Sequence, residues 1–181
     1  QELFKKPNGQ DRFYLMDERG GNIEQIKESI NKMIISCGCD IIVLDPLQDV
    51  IASLPQEEQE NFMEWQKMTV KSHKVTFINI NHVRKSGSGK DANSAGADIS
   101  EEDFHGSSSI FKSAACNLLF TRNKESEDPV VRNTTVMKMT KCRWTGNTSP
   151  VAGKYYYDNA THTLHDFEDY KSKNPHLFVE N

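Results

Sequence analysis

Three sets of residues in this chain have the type and spacing for metal or phosphate chemistry. Asp45 closes the segment Asp40–Asp45, DIIVLD, in which four apolar residues run between two aspartates. Such a run predicts a strand buried on both faces, as in a parallel sheet covered by helices. A carboxylate at its downstream end lies where open α/β sheets bind ligands, and it suits Mg²⁺ beside a nucleotide phosphate. The plain alternative is a helix-capping or turn aspartate, since Pro46 follows. His82 ends a second apolar strand, Val75–Ile80, after Asn81. If the two strands are neighbours, His82 and Asp45 reach one sheet edge, where His82 can sense a terminal phosphate by hydrogen bonding. Alone, a strand-end histidine reads as structural. Lys141 and Arg143 stand two apart on a strand-like segment and so point to the same side. Two cations placed that way can meet one anionic ligand, as an arginine finger does. A charged sheet edge is the alternative.

A fourth set lies in a loop. Residues 84–100 are rich in Gly, Ser, Ala, Lys and Asp, lack a hydrophobic period and predict a long mobile connection. Arg84, Lys85 and Lys90 in that loop suit the backbone of single-stranded nucleic acid, or simply a solvated loop. Gly87-Ser88-Gly89-Lys90 imitates the end of a phosphate-binding G-x-x-x-x-G-K-[ST] loop. The pattern needs glycine where Arg84 stands and Ser or Thr where Asp91 stands. No other segment satisfies it, so a complete phosphate cradle is absent from these 181 residues.

The elements that must position these groups follow from periodicity. Arg12–Met16 predicts a short strand. Asn22–Ser36 predicts a helix, with Asn22 as cap, Gln25 completing a capping box and Gly38 as the stop. Pro55 opens a second helix to about His73, acidic at its start and basic at its end, the order the helix dipole favours. A short helix around GSSSIFKSAA precedes a strand, Cys116–Thr121. Thr134–Lys141, Lys154–Tyr157 and His162–Leu164 predict a β-meander at a sheet edge. Of Tyr155, Tyr156 and Tyr157, two suit core packing and one suits stacking on a base. Alternation of strands and helices followed by hairpins predicts an α/β layered domain over residues 1–165 with an antiparallel extension. The polar segment 166–181, with Phe178 near its end, predicts a loosely held tail.

Composition sets outer bounds. The chain suits one domain, and a net charge of −4 argues against a wholly basic nucleic-acid coat but not a local patch. No apolar run approaches the roughly 20 residues needed to span a bilayer. Four cysteines, two of them in Cys37-Gly38-Cys39, lack zinc-finger spacing and read as free thiols in a reducing cytoplasm. The first nine residues have no initiator Met and read as the middle of a surface segment in something longer.

Together these motifs resemble the helicase half of phage primase–helicases, ring-forming RecA-like motors. CDIIVLD resembles the family's Walker B strand, and NINH resembles its strand-end histidine motif. DFHGSSSIFKSAACNLLFTR resembles a family segment that begins D-L-R-G-S-G. KCRWTGNT followed by AGKYYY resembles the arginine-finger segment and its aromatic strand. The resemblance implies a mostly parallel RecA-like sheet flanked by helices, with a C-terminal antiparallel hairpin extension. It implies that Asp45 holds Mg²⁺ through water and His82 couples the γ-phosphate to a DNA loop. It makes Arg143 the finger in a neighbour's nucleotide site, with Lys141 beside it, and puts Arg122 and Tyr157 by the base and sugar. Arg84, Lys85, Lys90, His105 and Gly106 would face single-stranded DNA in a hexameric ring burning ATP or dTTP. Lys112 stands where the family has a phosphate-sensing glutamine, and His105 where an arginine is common. The Walker A loop and catalytic glutamate would lie upstream of this match, which implies a C-terminal helicase piece that cannot hydrolyse ATP alone. Rival readings are a recombinase-type ATPase on the same core, a non-catalytic single-strand-binding module, and a purely structural α/β domain.

Overall fold

The computed structural model describes residues 4–16, 22–83, 94–96, 99–100 and 109–178. Helix α1 (Ile23–Cys37) forms where the 3.6-residue period demands it and buries Ile26, Ile30 and Ile34. The Asn22 side chain accepts from the Gln25 backbone N–H at 2.9 Å, and the Gln25 side chain accepts from the Asn22 N–H at 3.1 Å. This reciprocal box satisfies two amides that the helix itself cannot. Gly38 ends the helix at φ 65°, where a side chain would be strained.

Strand β1 (Ile41–Leu44), helix α2 (Leu47–Ile51), helix α3 (Gln56–His73) and strand β2 (Thr76–Asn79) follow. β1 and β2 pair in parallel, Ile41 opposite Thr76 through Leu44 opposite Asn79. One face of the pair buries Leu44 against Ile30, Leu47, Ile51, Phe62 and Met63, with Ile42 and Phe77 packed at the margin. The other face departs from the expectation of double burial. Ile41 remains 58% exposed and Val43 52% exposed, with Ile78 also exposed. An apolar run tolerates cover on both faces, but here the helices lie against only one.

Helix α4 (Ser109–Ser113) leads into strand β3 (Cys116–Arg122), helix α5 (Pro129–Arg132), and strands β4 (Thr134–Cys142), β5 (Ser149–Asp158) and β6 (Thr163–Asp166). The last four strands form one antiparallel sheet in the order β3-β4-β5-β6: β4 to β6 are the expected meander, and β3, expected outside it, pairs with β4. The chain is therefore a mixed helix-and-strand fold, but its described strands do not make a mostly parallel sheet. The connections explain the difference. A parallel crossover needs about a dozen residues or more, whereas short turns join β4 to β5 and β5 to β6 and a compact link through α5 joins β3 to β4, each reversing the chain. Ile110 of α4 is buried in the same cluster as Leu44 and Leu47, so α4 belongs to the core beneath the parallel pair.

Two further expectations change. Arg12–Met16 forms no strand; an isolated bridge joins Lys5 and Asp11, and Phe13 and Leu15 are exposed. Without a neighbouring strand to complete its hydrogen bonds, the segment has no ladder to join. The tail is not loosely held over its described part. Helix α6 (Phe167–Lys173) and a 3₁₀ turn (Pro175–Leu177) follow β6, with the Asp166 side chain accepting from the Asp169 N–H at 3.0 Å. Tyr170 stacks on Tyr156 at 4.9 Å, and the Phe178 ring sits 5.4 Å from Tyr156 and 5.4 Å from Phe167. A few aromatics outweigh the polarity of their neighbours. Most of the loop over residues 84–100 lies outside the described residues.

Candidate functional site at the edge of the parallel pair

Parallel pairing places the downstream ends of β1 and β2 at one edge, and the chain leaves both strands there. The ladder continues past the strands: the Ile80 N–H donates to the Leu44 carbonyl at 2.9 Å, and the Leu47 N–H donates to the Ile80 carbonyl at 2.8 Å. The Gln48 side-chain amide then donates to the His82 carbonyl at 3.2 Å. Asp45 and His82 thus flank one edge, both exposed. Helix α2 starts from Pro46 and has no side-chain cap, so Asp45 is not its cap. Among the described residues the Asp45 carboxylate has no hydrogen-bond or ion-pair partner. The capping alternative therefore fails, and the oxygen atoms are open to a ligand.

Two neighbouring groups sharpen the picture. Gln48 Oε1 and Asn81 Oδ1 are buried with no donor among the described residues. A buried acceptor left without a donor costs about 1–3 kcal/mol. Gln48 lies in the first turn of α2, three residues after Asp45, and Asn81 immediately precedes His82. Carboxylate and amide oxygens are the type of ligand that Mg²⁺ takes directly or through water. Among the described residues no group of three or more His, Cys, Asp or Glu side chains converges. A Mg²⁺ ion held by one carboxylate, water and phosphate needs no such cage. The strand end itself is fixed from behind. Gln66 on α3 and Asn79 on β2 exchange two amide hydrogen bonds, 3.3 and 2.9 Å.

A second cluster gathers cations around α4. Lys141 Nζ donates to the carbonyls of Phe111 at 2.7 Å and Lys112 at 3.2 Å, and Arg143 Nη2 donates to the Lys112 carbonyl at 2.5 Å. The two side chains do share one side of β4, and they neutralise the carbonyl end of α4. Arg143 and Lys112 are both exposed. One guanidinium N–H is committed within the chain, but the group is not buried.

A third cluster joins β3 to β5 through Asn133. Arg122 Nε donates to the Arg132 carbonyl at 2.6 Å, and Nη2 donates to Asn133 Oδ1 at 3.4 Å. The Tyr157 N–H donates to the Asn133 carbonyl at 2.9 Å, and its hydroxyl meets His162 Nδ1 at 3.0 Å. Arg122 also lines a cleft of about 280 Å³ with Thr121, Val136, Lys154 and Phe167, whereas Tyr157 does not.

No family model matches the chain. Over 166 residues, 88% of its length, the sequence is 30% identical to the DNA helicase/primase of Enterobacteria phage T3. The chain is similar to a phage DNA helicase/primase. It spans 28% of the length of that relative. No helix among the described residues is long and apolar enough to cross a membrane.

Set against that helicase/primase similarity, the predicted site residues fall into three groups. Asp45 and His82 come together at one edge; Lys112, Lys141 and Arg143 gather at α4; Arg122 and Tyr157 share Asn133 as a partner. Arg84, Lys85, Lys90, His105 and Gly106 lie outside the described residues. Sequence reasoning missed Gln48, Asn81 and Asn133. Asn81 had a signal, its place beside His82 in NINH. Gln48 and Asn133 had none, because an amide becomes notable only once its surroundings are known.

Proposed function

We propose that this chain is part of an ATP-driven replicative DNA helicase that moves on single-stranded DNA as a ring, hexameric by family resemblance. The reading is carried by the shared strand edge, where β1 and β2 end side by side and bring Asp45, without a partner among the described residues, to the same rim as His82. The similarity to a phage helicase/primase supports it. In this reading Asp45 holds Mg²⁺ through water, and the ion neutralises the phosphate oxygens of ATP or dTTP. His82 meets the terminal phosphate and passes its presence to the loop that follows, where Arg84, Lys85 and Lys90 meet DNA together with His105 and Gly106. Arg122 and Tyr157 border the base and sugar. Lys141 holds the carbonyl end of α4, so that Lys112 and Arg143 project from a firm base. Arg143 reaches into the site of the next protomer. The phosphate cradle belongs to the rest of the full-length protein, so this stretch alone does not turn over ATP. The host cytoplasm is the setting that follows. Phe178 packs into its own chain, which leaves a polymerase contact to whatever else the tail presents.

A finger supplied in trans accelerates comparable NTPases about 10³–10⁵-fold. Arg143→Ala in the full-length protein is expected to cut DNA-stimulated turnover at least about 10³-fold while nucleotide binding persists. Turnover near wild type would remove Arg143 from this role. Binding of the isolated chain to single-stranded DNA, steeply salt-dependent but indifferent to nucleotide, would favour a plain binding module instead.

A further inference from the structure

Cys116 opens β3 and Cys142 closes β4, and the antiparallel register sets them directly opposite each other. The Arg143 N–H donates to the Ala115 carbonyl at 2.8 Å, so Ala115 and Arg143 form a hydrogen-bonded pair. Hydrogen-bonded and non-hydrogen-bonded pairs alternate along such a ladder, which makes Cys116–Cys142 a non-hydrogen-bonded pair. That pairing brings Cα atoms to about 4.5 Å. A disulfide spans Cα separations of about 4.4–6.8 Å. Both cysteines are free and half-buried.

We propose that Cys116 and Cys142 are an oxidisable pair, which a peroxide converts into a disulfide clamping β3 to β4 beside Arg143. The Cys142 thiolate attacks one peroxide oxygen; the O–O bond breaks, a sulfenic acid forms and one water leaves after protonation. The Cys116 sulfur then attacks the sulfenic sulfur; the S–S bond forms, the S–O bond breaks and a second water leaves. Two thiols are oxidised by two electrons, and one peroxide is reduced to two waters. A dithiol reductant reverses the bond by exchange.

The surroundings set the order of attack. The Thr145 hydroxyl, then its backbone N–H, hydrogen-bond the Cys142 sulfur and hold that thiol below its ordinary range. Burial pushes the Cys116 thiol up. The thiolate is the reactive form, so Cys142 attacks the peroxide first and Cys116 resolves the sulfenic acid. The pairing rests on register and the order of attack on the surroundings of the two sulfurs, and both are independent of the helicase reading.

The test exposes reduced full-length protein to hydrogen peroxide, alkylates the remaining thiols and maps the peptides by mass spectrometry. The expected product is a peptide linking Cys116 to Cys142, which dithiothreitol returns to two alkylated ones. In Cys116→Ser, Cys142 is expected to be trapped as a dimedone adduct. In Cys142→Ser, Cys116 should label several-fold less. Because the linkage is read in the unaltered protein, it does not depend on how the variants fold. Continued alkylation of both thiols, sulfinic acid without linkage, or equal cross-pairing with Cys37 and Cys39 would each overturn the pair. Equal dimedone labelling of the two single variants would overturn the order of attack.

Discussion

Two aspartates show how one residue type serves opposite ends. Asp45 is exposed at a strand edge with no partner among the described residues, whereas Asp158 is surrounded by donors. The Ala160 N–H lies 2.8 Å from Asp158, the Thr161 hydroxyl 2.9 Å and the Tyr170 hydroxyl 3.1 Å. These bonds, the Ala160 N–H first, hold the Asp158 carboxyl below the usual carboxylate range. Its folded pKa is lower than its unfolded one, so its contribution is complete above the ordinary aspartate value of about 4. That contribution fades as pH falls through the depressed folded value. Burial, then Asp158, raises the Tyr170 hydroxyl, which gives the opposite sign: support below its ordinary range, lost as pH rises through the raised value. Docking of α6, followed by the near-ultraviolet signal of the Tyr156–Tyr170 stack, should therefore plateau across neutral pH and decline at both ends. Asp158→Asn should flatten the acid decline; an unchanged acid limb would show that Asp158 does not hold the tail.

At the scale of elements, local chemistry was legible where it is self-contained. The Asn22–Gln25 box and the Gly38 stop are readable from residue type and spacing, because a cap needs only its own helix. Asn22→Ala is expected to cost about 1 kcal/mol in a denaturant melt; no change would mean that the exposed box adds nothing beyond water. The β-meander was legible for a similar reason, since alternation and short turns are local. Arg12–Met16 has the composition of a strand but pairs with none among the described residues, a condition set elsewhere in the chain. The depth of burial of β1 was likewise set by which helices lie over it, not by its own residues.

For the molecule as a whole, the tail and the cysteines changed meaning most. Residues 166–181 read as a polar, loosely held tail, yet Tyr156, Phe167, Tyr170 and Phe178 form one aromatic cluster, with Lys154 Nζ 3.6 Å from the centre of the Phe167 ring. Phe178→Ala should destabilise tail docking by about 1–3 kcal/mol. Hydrogen exchange should then quicken in α6 but not in α1; equal protection in both proteins would show that Phe178 is a bystander. The amino-acid order by itself determined helices α1, α3 and α4, the cap and stop of α1, the apolar strands and the hairpin run, because each depends on neighbours within a few positions. Tertiary structure alone decided that β1 and β2 run parallel and so bring Asp45 to His82. It also decided that Lys141 and Arg143 converge on the end of α4, and that Cys116 meets Cys142 across the sheet. Those contacts join residues 26 to 37 positions apart, and only the folded path of the chain selects such distant pairs.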